Sequence, residues 1–135
     1  MYVFDTSALS ELIKRRPNEG FLQQLRQKPA DALFTTSICV MELRYGACLR
    51  ADHEAFWQRI YQEILSRVQI LGLGPREVLL AGDLLVHLKR TGHPLGLQDV
   101  LIGAIARAHD YIVVTHNVKH FQSLPGVKVE DWFSP

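Results

Sequence analysis

Short apolar runs alternate with longer amphipathic stretches along this chain. Residues 2–4 (YVF) form a β-forming run without a polar member, which is typical of a strand buried on both faces of a parallel sheet. Similar runs predict further strands at 33–35, 68–71, 111–114 and 127–129. Because helical patterns lie between them, we predict an α/β sandwich of three layers, with a central, mostly parallel sheet of four to five short strands.

The helices are predicted from apolar spacing and from capping residues. Ser37 is predicted to cap a helix over 38–49, and Pro75 opens a helix that runs to about residue 90. Residues 97–109 have the most apolar helical pattern of the chain, and 118–121 suit a single helical turn.

A helix that begins after Asp52 carries an amphipathic stripe. Its apolar members are Phe56, Trp57, Ile60, Tyr61, Ile64 and Leu65. We expect this stripe to form core or dimer contacts. Together with Phe21, Leu22 and Leu25 it is also expected to leave an apolar patch uncovered, as protein contact surfaces do.

The charge balance limits the kind of surface available to a polyanion. Lys and Arg number 15 against 14 Asp and Glu, which gives a net charge of +1 over 135 residues. A broad nucleic-acid-binding face is therefore not expected, and a polyanion would need a local basic cluster or a metal. Residues 14–16 (KRR) form such a cluster at the end of the first helix. Two interpretations stay open, a solvated helix end or a phosphate contact.

Length and targeting patterns suggest one domain over residues 1–135 in the cytoplasm. No apolar run is long enough to cross a bilayer, and the pattern of a signal peptide is not seen. Cys39 and Cys48 fall on opposite faces of one predicted helix, about 13 Å apart along its axis. We expect both thiols to be reduced, since a disulfide needs Cα atoms within about 7 Å.

Three acids and one amide stand at positions that suit a ligand site. Asp5 follows the first strand, at the edge where open α/β sheets bind ligands. Glu42 lies among large apolar residues, Asp99 lies in the first turn of the most apolar helix, and Asn117 follows the fourth strand. The structural alternatives are a helix cap for Asp5, a pair with Arg44 for Glu42, and a favourable N-terminal helix charge for Asp99.

If these side chains converge, they form a cluster of oxygen ligands. Crowded carboxylates raise one another's pKa unless a counter-charge is present. A hard divalent cation, Mg²⁺ or Mn²⁺, supplies that charge. A zinc site at His116 and His120 is not favoured, because no cysteine or third histidine joins them in sequence.

Four segments resemble the signature segments of PIN-domain ribonucleases. They are VFDTS at 3–7, ELRYGA at 42–47, DVLIGA at 99–104 and VTHNVKHF at 114–121. PLG at 94–96 and the stretch from Gly126 to Trp132 are similar to VapC toxins of toxin–antitoxin pairs. The resemblance covers the whole chain in the right order.

The resemblance implies a Mg²⁺-dependent endoribonuclease that is neutralised by a small VapB-like antitoxin and forms a homodimer. Asp5, Glu42 and Asp99 would be catalytic, with Asp5 and Asp99 holding the metal. Thr6, Ser7 and Thr115 would assist by hydrogen bonding, although capping explains them as well. Many members have Asp where this chain has Asn117, so a second metal is less well supported here.

Other classes fit less well. A haloacid-dehalogenase-type phosphatase needs a second Asp at the position of Ser7. A response-regulator receiver needs a phospho-acceptor Asp after a middle strand, which neither 33–36 nor 71–73 supplies. A PIN-fold module that binds RNA or protein with weak or no catalysis stays open, and Asn117 is in its favour.

Overall fold

Five short strands form one parallel sheet in the computed structural model, which describes residues 1–135. Their order across the sheet is β3-β2-β1-β4-β5, and every neighbouring pair is parallel. The strands are β1 (Tyr2–Phe4), β2 (Leu33–Thr36), β3 (Gln69–Leu71), β4 (Ile112–Val114) and β5 (Lys128–Glu130). The prediction of a mostly parallel sheet is confirmed, with bounds shifted by a residue at some ends.

Seven α-helices connect and cover the strands. They are α1 (Thr6–Glu11), α2 (Glu19–Arg26), α3 (Ser37–Cys48), α4 (His53–Glu63), α5 (Pro75–Thr91), α6 (Leu97–His109) and α7 (Val118–Gln122). Short 3₁₀ turns at Ala30–Ala32 and Leu65–Arg67 precede β2 and β3. Right-handed crossovers place α1–α4 on one face of the sheet and α5–α7 on the other, which is the predicted three-layer sandwich.

The helix cap predicted at Ser37 is wrong by one residue. Thr36 has extended backbone angles, φ −119° and ψ 158°, and its Oγ1 accepts a hydrogen bond from Cys39 N at 3.2 Å. Ser37 is already helical. The last residue of β2 therefore also caps α3, so strand and helix meet without a loop.

The chain reverses its direction across the sheet between β1 and β4. β2 and β3 are added on one side of β1, whereas β4 and β5 are added on the other. Val3 consequently pairs with Phe34 of β2 and Val113 of β4 and is fully buried. A reversal of this kind opens a crevice at the carboxyl ends of the two strands, where α/β proteins bind ligands.

An aromatic cluster closes the core beside the central strand. Trp132, which is 4% exposed, contacts Tyr2, Phe4 and Phe21 with ring centroids 5.2, 5.3 and 5.9 Å away. Its indole N–H donates to Glu130 Oε1 at 2.9 Å. The segment after β5 therefore packs against both β1 and α2.

The apolar patch predicted on the α4 stripe is wrong. Ile60, Ile64 and Phe21 are fully buried, and Phe56 and Trp57 pack partly against the core. Of the stripe, only Tyr61 is largely exposed. Helix α4 packs on α3, which the spacing along one helix cannot reveal. Other large apolar side chains are exposed instead, notably Met41 and Tyr45 on α3, Leu49 directly after α3, and Val78, Leu79, Leu85 and Val86 on α5.

Both cysteines are free, as predicted: Cys39 is buried and Cys48 is exposed. None of the helices combines the length and the hydrophobicity that a bilayer crossing requires.

Replacement of Trp132 by alanine should destabilise the fold strongly. Removing a buried Trp leaves a cavity among three aromatic rings, and such truncations cost about 3–5 kcal/mol. Trp132→Phe keeps a ring in place and loses the hydrogen bond to Glu130, so its free energy of unfolding should lie between the two. Urea denaturation measures both, and equal stability of Trp132→Ala and wild type would contradict the packing described.

Candidate active site

Asp5 lies at the carboxyl end of β1 with both of its oxygens engaged. Its Oδ1 accepts hydrogen bonds from Ala8 N at 2.9 Å and from Ser7 Oγ at 2.6 Å, so Asp5 is the N-cap of α1. Its Oδ2 accepts from Thr115 Oγ1, directly after β4. Capping and a site role are therefore compatible, because one oxygen caps the helix and the other faces the neighbouring strand end.

Burial is the main influence on the charge of Asp5. The residue is 4% exposed, and this desolvation raises the pKa of the Asp5 carboxyl above its ordinary value of 3.8. Hydrogen bonds from Ser7, Thr115 and Ala8 oppose the rise, whereas the negative charge of Asp99 adds to it. Asp5 and Asp99 are thus close enough to repel each other.

Thr115 connects Asp5 to the segment that carries Asn117. Its hydroxyl donates to Asp5 and accepts from Asn117 N at 2.8 Å. Asn117 is exposed, and its carboxamide does not cap α7. Asn117 lies at the predicted edge of the sheet, with a side chain that is not engaged as a helix cap.

Glu42 is fixed by Thr6 and not by the base suggested from sequence. Thr6 Oγ1 donates to Glu42 Oε1 at 2.7 Å, which joins α3 to α1 one residue after Asp5. Arg44 instead lies over the ring of Trp57, 4.9 Å from its centroid. The apolar neighbours Met41 and Tyr45 are exposed, so Glu42 is half-buried at the border of the site.

Asp99 is held from the side of α7. His120 Nδ1 lies 3.1 Å from Asp99 Oδ2, a contact that fixes the carboxylate when Nδ1 carries the proton. The Asp99 side chain is 29% exposed, more open to solvent than Asp5. His116 lies elsewhere, with Nδ1 3.9 Å from Asp131 Oδ1. The two histidines thus contact different acids.

The predicted acids meet at one edge of the sheet, but they do not form a closed metal cage. Asp5 is linked to Asp99 by charge and to Glu42 through the adjacent Thr6. No group of three His, Cys, Asp or Glu side chains is arranged to hold a metal by protein ligands alone. Of the residues at this edge, Asn117 is exposed and Asp99 is partly exposed, whereas Asp5 is buried.

Sequence comparison identifies the family. The model of the PIN domain matches residues 2–126, which includes every residue of the edge just described.

The chain belongs to the PIN domain family.

This PIN domain is similar over nearly its full length to proteins of known name. It is 31% identical over 131 residues to Ribonuclease VapC2 of Haemophilus influenzae, covering 97% of each chain. It is 28% identical over 131 residues to the tRNA(fMet)-specific endonuclease VapC of Salmonella typhimurium, again over 97% of each. Its fold matches the structure of VapBC-1 from nontypeable Haemophilus influenzae with a TM-score of 0.87, at 30% identity and 97% coverage of both chains.

The contact of His120 with Asp99 was not predicted from the sequence, in which His120 suggests only a zinc ligand together with His116. Its contact with Asp99 spans 21 positions and depends on how the short α7 packs on α6. The one available signal was its position three residues after Asn117, near the carboxyl end of a strand.

Replacing Asp5 with asparagine should stabilise the metal-free protein near neutral pH. Because the pKa of Asp5 is raised in the folded state, the native protein binds this proton more readily than the unfolded chain does. The free energy of unfolding of wild type therefore falls as pH rises from the ordinary value of 3.8 through the raised one.

The difference between Asp5→Asn and wild type should accordingly be largest near neutral pH and shrink as pH falls toward 3.8. Urea unfolding in EDTA across this range measures it. A variant that is less stable at neutral pH, or an advantage that does not change with pH, would contradict the assigned cost of burial.

Proposed function

We propose that this PIN domain is a Mg²⁺-dependent endoribonuclease that acts as the toxin of a VapBC-type toxin–antitoxin pair. The predicted nuclease class agrees with relatives that are named ribonuclease and endonuclease. The observation that carries the proposal is the position of Asp5, which is buried at the carboxyl end of β1 and hydrogen-bonded to Thr115 at the end of β4, with Asp99 nearby.

The donor set at this edge fits a hard divalent cation. Asp5 and Asp99 offer only oxygens, and each keeps bonding capacity: Asp5 Oδ2 accepts one hydrogen bond, and Asp99 Oδ1 accepts none. Mg²⁺ is usually held by one or two carboxylates together with waters and phosphates, and dedicated protein cages are uncommon. Two carboxylates with free bonding capacity therefore suit Mg²⁺, with Mn²⁺ as a substitute. Asn117 would add a neutral oxygen.

In the proposed reaction, RNA is hydrolysed at a phosphodiester bond. A bound divalent cation supplies Lewis-acid polarisation of the phosphate and lowers the pKa of a water. A bond forms between the water oxygen and phosphorus, and the bond from phosphorus to one ribose oxygen breaks. Asp5 and Asp99 would hold the cation at this edge, and its positive charge would offset their repulsion of the phosphate.

Glu42 is proposed to accept the proton of the attacking water. Thr6 occupies Oε1 of Glu42, so Oε2 is the atom that takes the proton. The departing ribose oxygen gains a proton from solvent. Thr115 and Ser7 hold Asp5, and His120 holds Asp99, so that the carboxylates keep their positions while charge develops.

The partner is proposed to be a VapB-like antitoxin, since the solved structure of VapBC-1 pairs such a toxin with one. A cleft of about 650 Å³ beside Glu42, lined by Met41, Tyr45 and Leu49 among others, offers apolar contact area close to the site. We also propose a homodimer and a cytoplasmic location, where RNA is available.

Asp5→Asn should abolish cleavage of bulk bacterial RNA in Mg²⁺. The loss should exceed the roughly 100-fold upper range for residues that only support a metal ligand. Asp31→Asn is the matched control, since Asp31 is exposed and precedes β2 at the opposite edge of the sheet.

A thermal shift tests the metal independently of activity. Mg²⁺ at ten times its Kd should stabilise wild type by about 1.4 kcal/mol and leave Asp5→Asn almost unchanged. Full activity of Asp5→Asn would disprove the site. RNA binding without cleavage by wild type would favour the non-catalytic module.

Thr6→Val should lower kcat by about 10- to 100-fold, the range found when a supporting hydrogen bond to a site carboxylate is lost. Valine keeps the shape and removes the hydroxyl that holds Glu42. Thr6→Ser restores the hydroxyl and should restore most of kcat. If the serine variant is as slow as the valine variant, the effect comes from packing, and the assignment to the hydrogen bond is wrong.

A further inference from the structure

A second concave surface lies next to the acidic edge and is built from different residues. This α1–α2 pocket has a volume of about 460 Å³, within the range of small-ligand sites. The lining residues used below are Glu11, Lys14, Arg16, Asn18, His116 and Phe133. It is formed by the loop between α1 and α2, by the segment after β4, and by the residues after β5.

Buried Glu11 fixes the loop that carries the basic cluster. The Glu11 side chain is 4% exposed and its Oε1 lies 2.8 Å from Lys14 Nζ. Its Oε2 accepts from Asn18 N at 2.7 Å. The loop is therefore held at both ends by one carboxylate, whose own charge is matched by Lys14.

Arg16, in contrast to Lys14, has no ion-pair partner. Arg16 is exposed and lies within 4.0 Å of no carboxylate, since Lys14 is the partner of Glu11. Glu11, the one acidic side chain among the lining residues, is paired with Lys14, and Asp131 Oδ1 lies 3.9 Å from His116 Nδ1. The pocket thus presents a guanidinium free to bind a phosphate.

Two aromatic rings, those of His116 and Phe133, also line the pocket. The His116 ring lies 4.6 Å from the ring of Phe133, measured between centroids, and Phe133 is backed by Phe21 at 5.1 Å. The tail is tied to α2 by Ser134 N, which donates to Asn18 Oδ1 at 2.9 Å. The His116 side chain is 64% exposed, so its free face is available for stacking against a nucleobase.

Two hydrogen bonds connect His116 to Asp5. His116 N donates to Ser7 Oγ at 3.1 Å, and Ser7 Oγ donates to Asp5 Oδ1 at 2.6 Å. His116 is therefore two hydrogen bonds away from Asp5, where the proposed reaction places the scissile phosphate.

We propose that the α1–α2 pocket is a nucleotide subsite that holds one nucleotide of the RNA strand next to the cleaved bond, with Arg16 on its phosphate and His116 stacked on its base. The inference rests on the proposed ribonuclease function. The acidic residues of the site repel a polyanion, and the net charge of the chain is only +1. A local basic side chain such as Arg16 would offset that repulsion.

Binding of a short fluorescein-labelled single-stranded RNA in EDTA tests the pocket without cleavage. Arg16→Ala should raise Kd about fivefold and reduce the salt dependence by about one phosphate contact, a change of roughly 0.7 in the log–log slope for single strands. His116→Ala should raise Kd about fivefold or more, as expected for loss of a base stack. His116→Phe should keep the wild-type Kd, because it preserves the ring.

Arg26→Ala is the matched control. Arg26 is an exposed arginine at the end of α2, near Lys28, which lies over the ring of Tyr2 at the start of β1. It should keep the wild-type Kd within about twofold, although it removes the same charge. In cleavage of bulk bacterial tRNA, Arg16→Ala should raise KM and leave kcat nearly unchanged, since the subsite binds ground and transition states alike.

Several outcomes would overturn the subsite. If Arg16→Ala and Arg26→Ala raise Kd equally, the effect comes from net charge and not from the subsite. An unchanged Kd in both Arg16→Ala and His116→Ala would disprove the subsite. If the two alanine variants lose as much affinity for poly-glutamate as for RNA, the pocket binds acidic polymers in general, including acidic peptides. A wild type that binds no RNA in EDTA would also disprove it. If wild type cleaves no RNA but the order of Kd values holds, the proposed function fails and the subsite stands.

Discussion

The hydrogen bond from Thr115 to Asp5 joins two strand ends that are 110 residues apart in sequence and neighbours in the sheet. It exists because the chain reverses its direction across the sheet between β1 and β4. That reversal brings a carboxylate, a hydroxyl and the N-terminus of α1 to one edge. Because Asp5 is buried, it depends on these donors when no cation is near. The same residue therefore sets the position of the site and lowers the stability of the empty protein.

Much of this arrangement can be predicted from sequence, because it follows from local rules. A three-residue apolar run next to a capping residue predicts both β1 and the carboxyl end of the strand that carries Asp5. Asp99 is placed correctly for a similar reason, at the first turn of a strongly apolar helix. The fold class follows from the alternation of strand and helix patterns.

The errors and omissions come from interactions between elements. Thr36 and Ser37 both suit a helix cap, and the choice depends on where β2 leaves its extended conformation. The apolar stripe of α4 is covered because α3 packs against it, which no single-helix pattern reports. His120 meets Asp99 only through the relative placement of α6 and α7. Glu42 is held by Thr6 from another helix, 36 positions away, so its neighbours in sequence do not reveal its partner.

The adjacency of β1 and β4 has a consequence for the order in which the protein is made. The ribosome delivers Asp5 first and Thr115 after a further 110 residues, which takes about 5–20 s at ordinary elongation rates. Until then, one side of β1 lacks its neighbouring strand and Asp5 lacks an important donor. The edge that carries Asp5 therefore cannot form until most of the message that encodes this PIN domain has been translated.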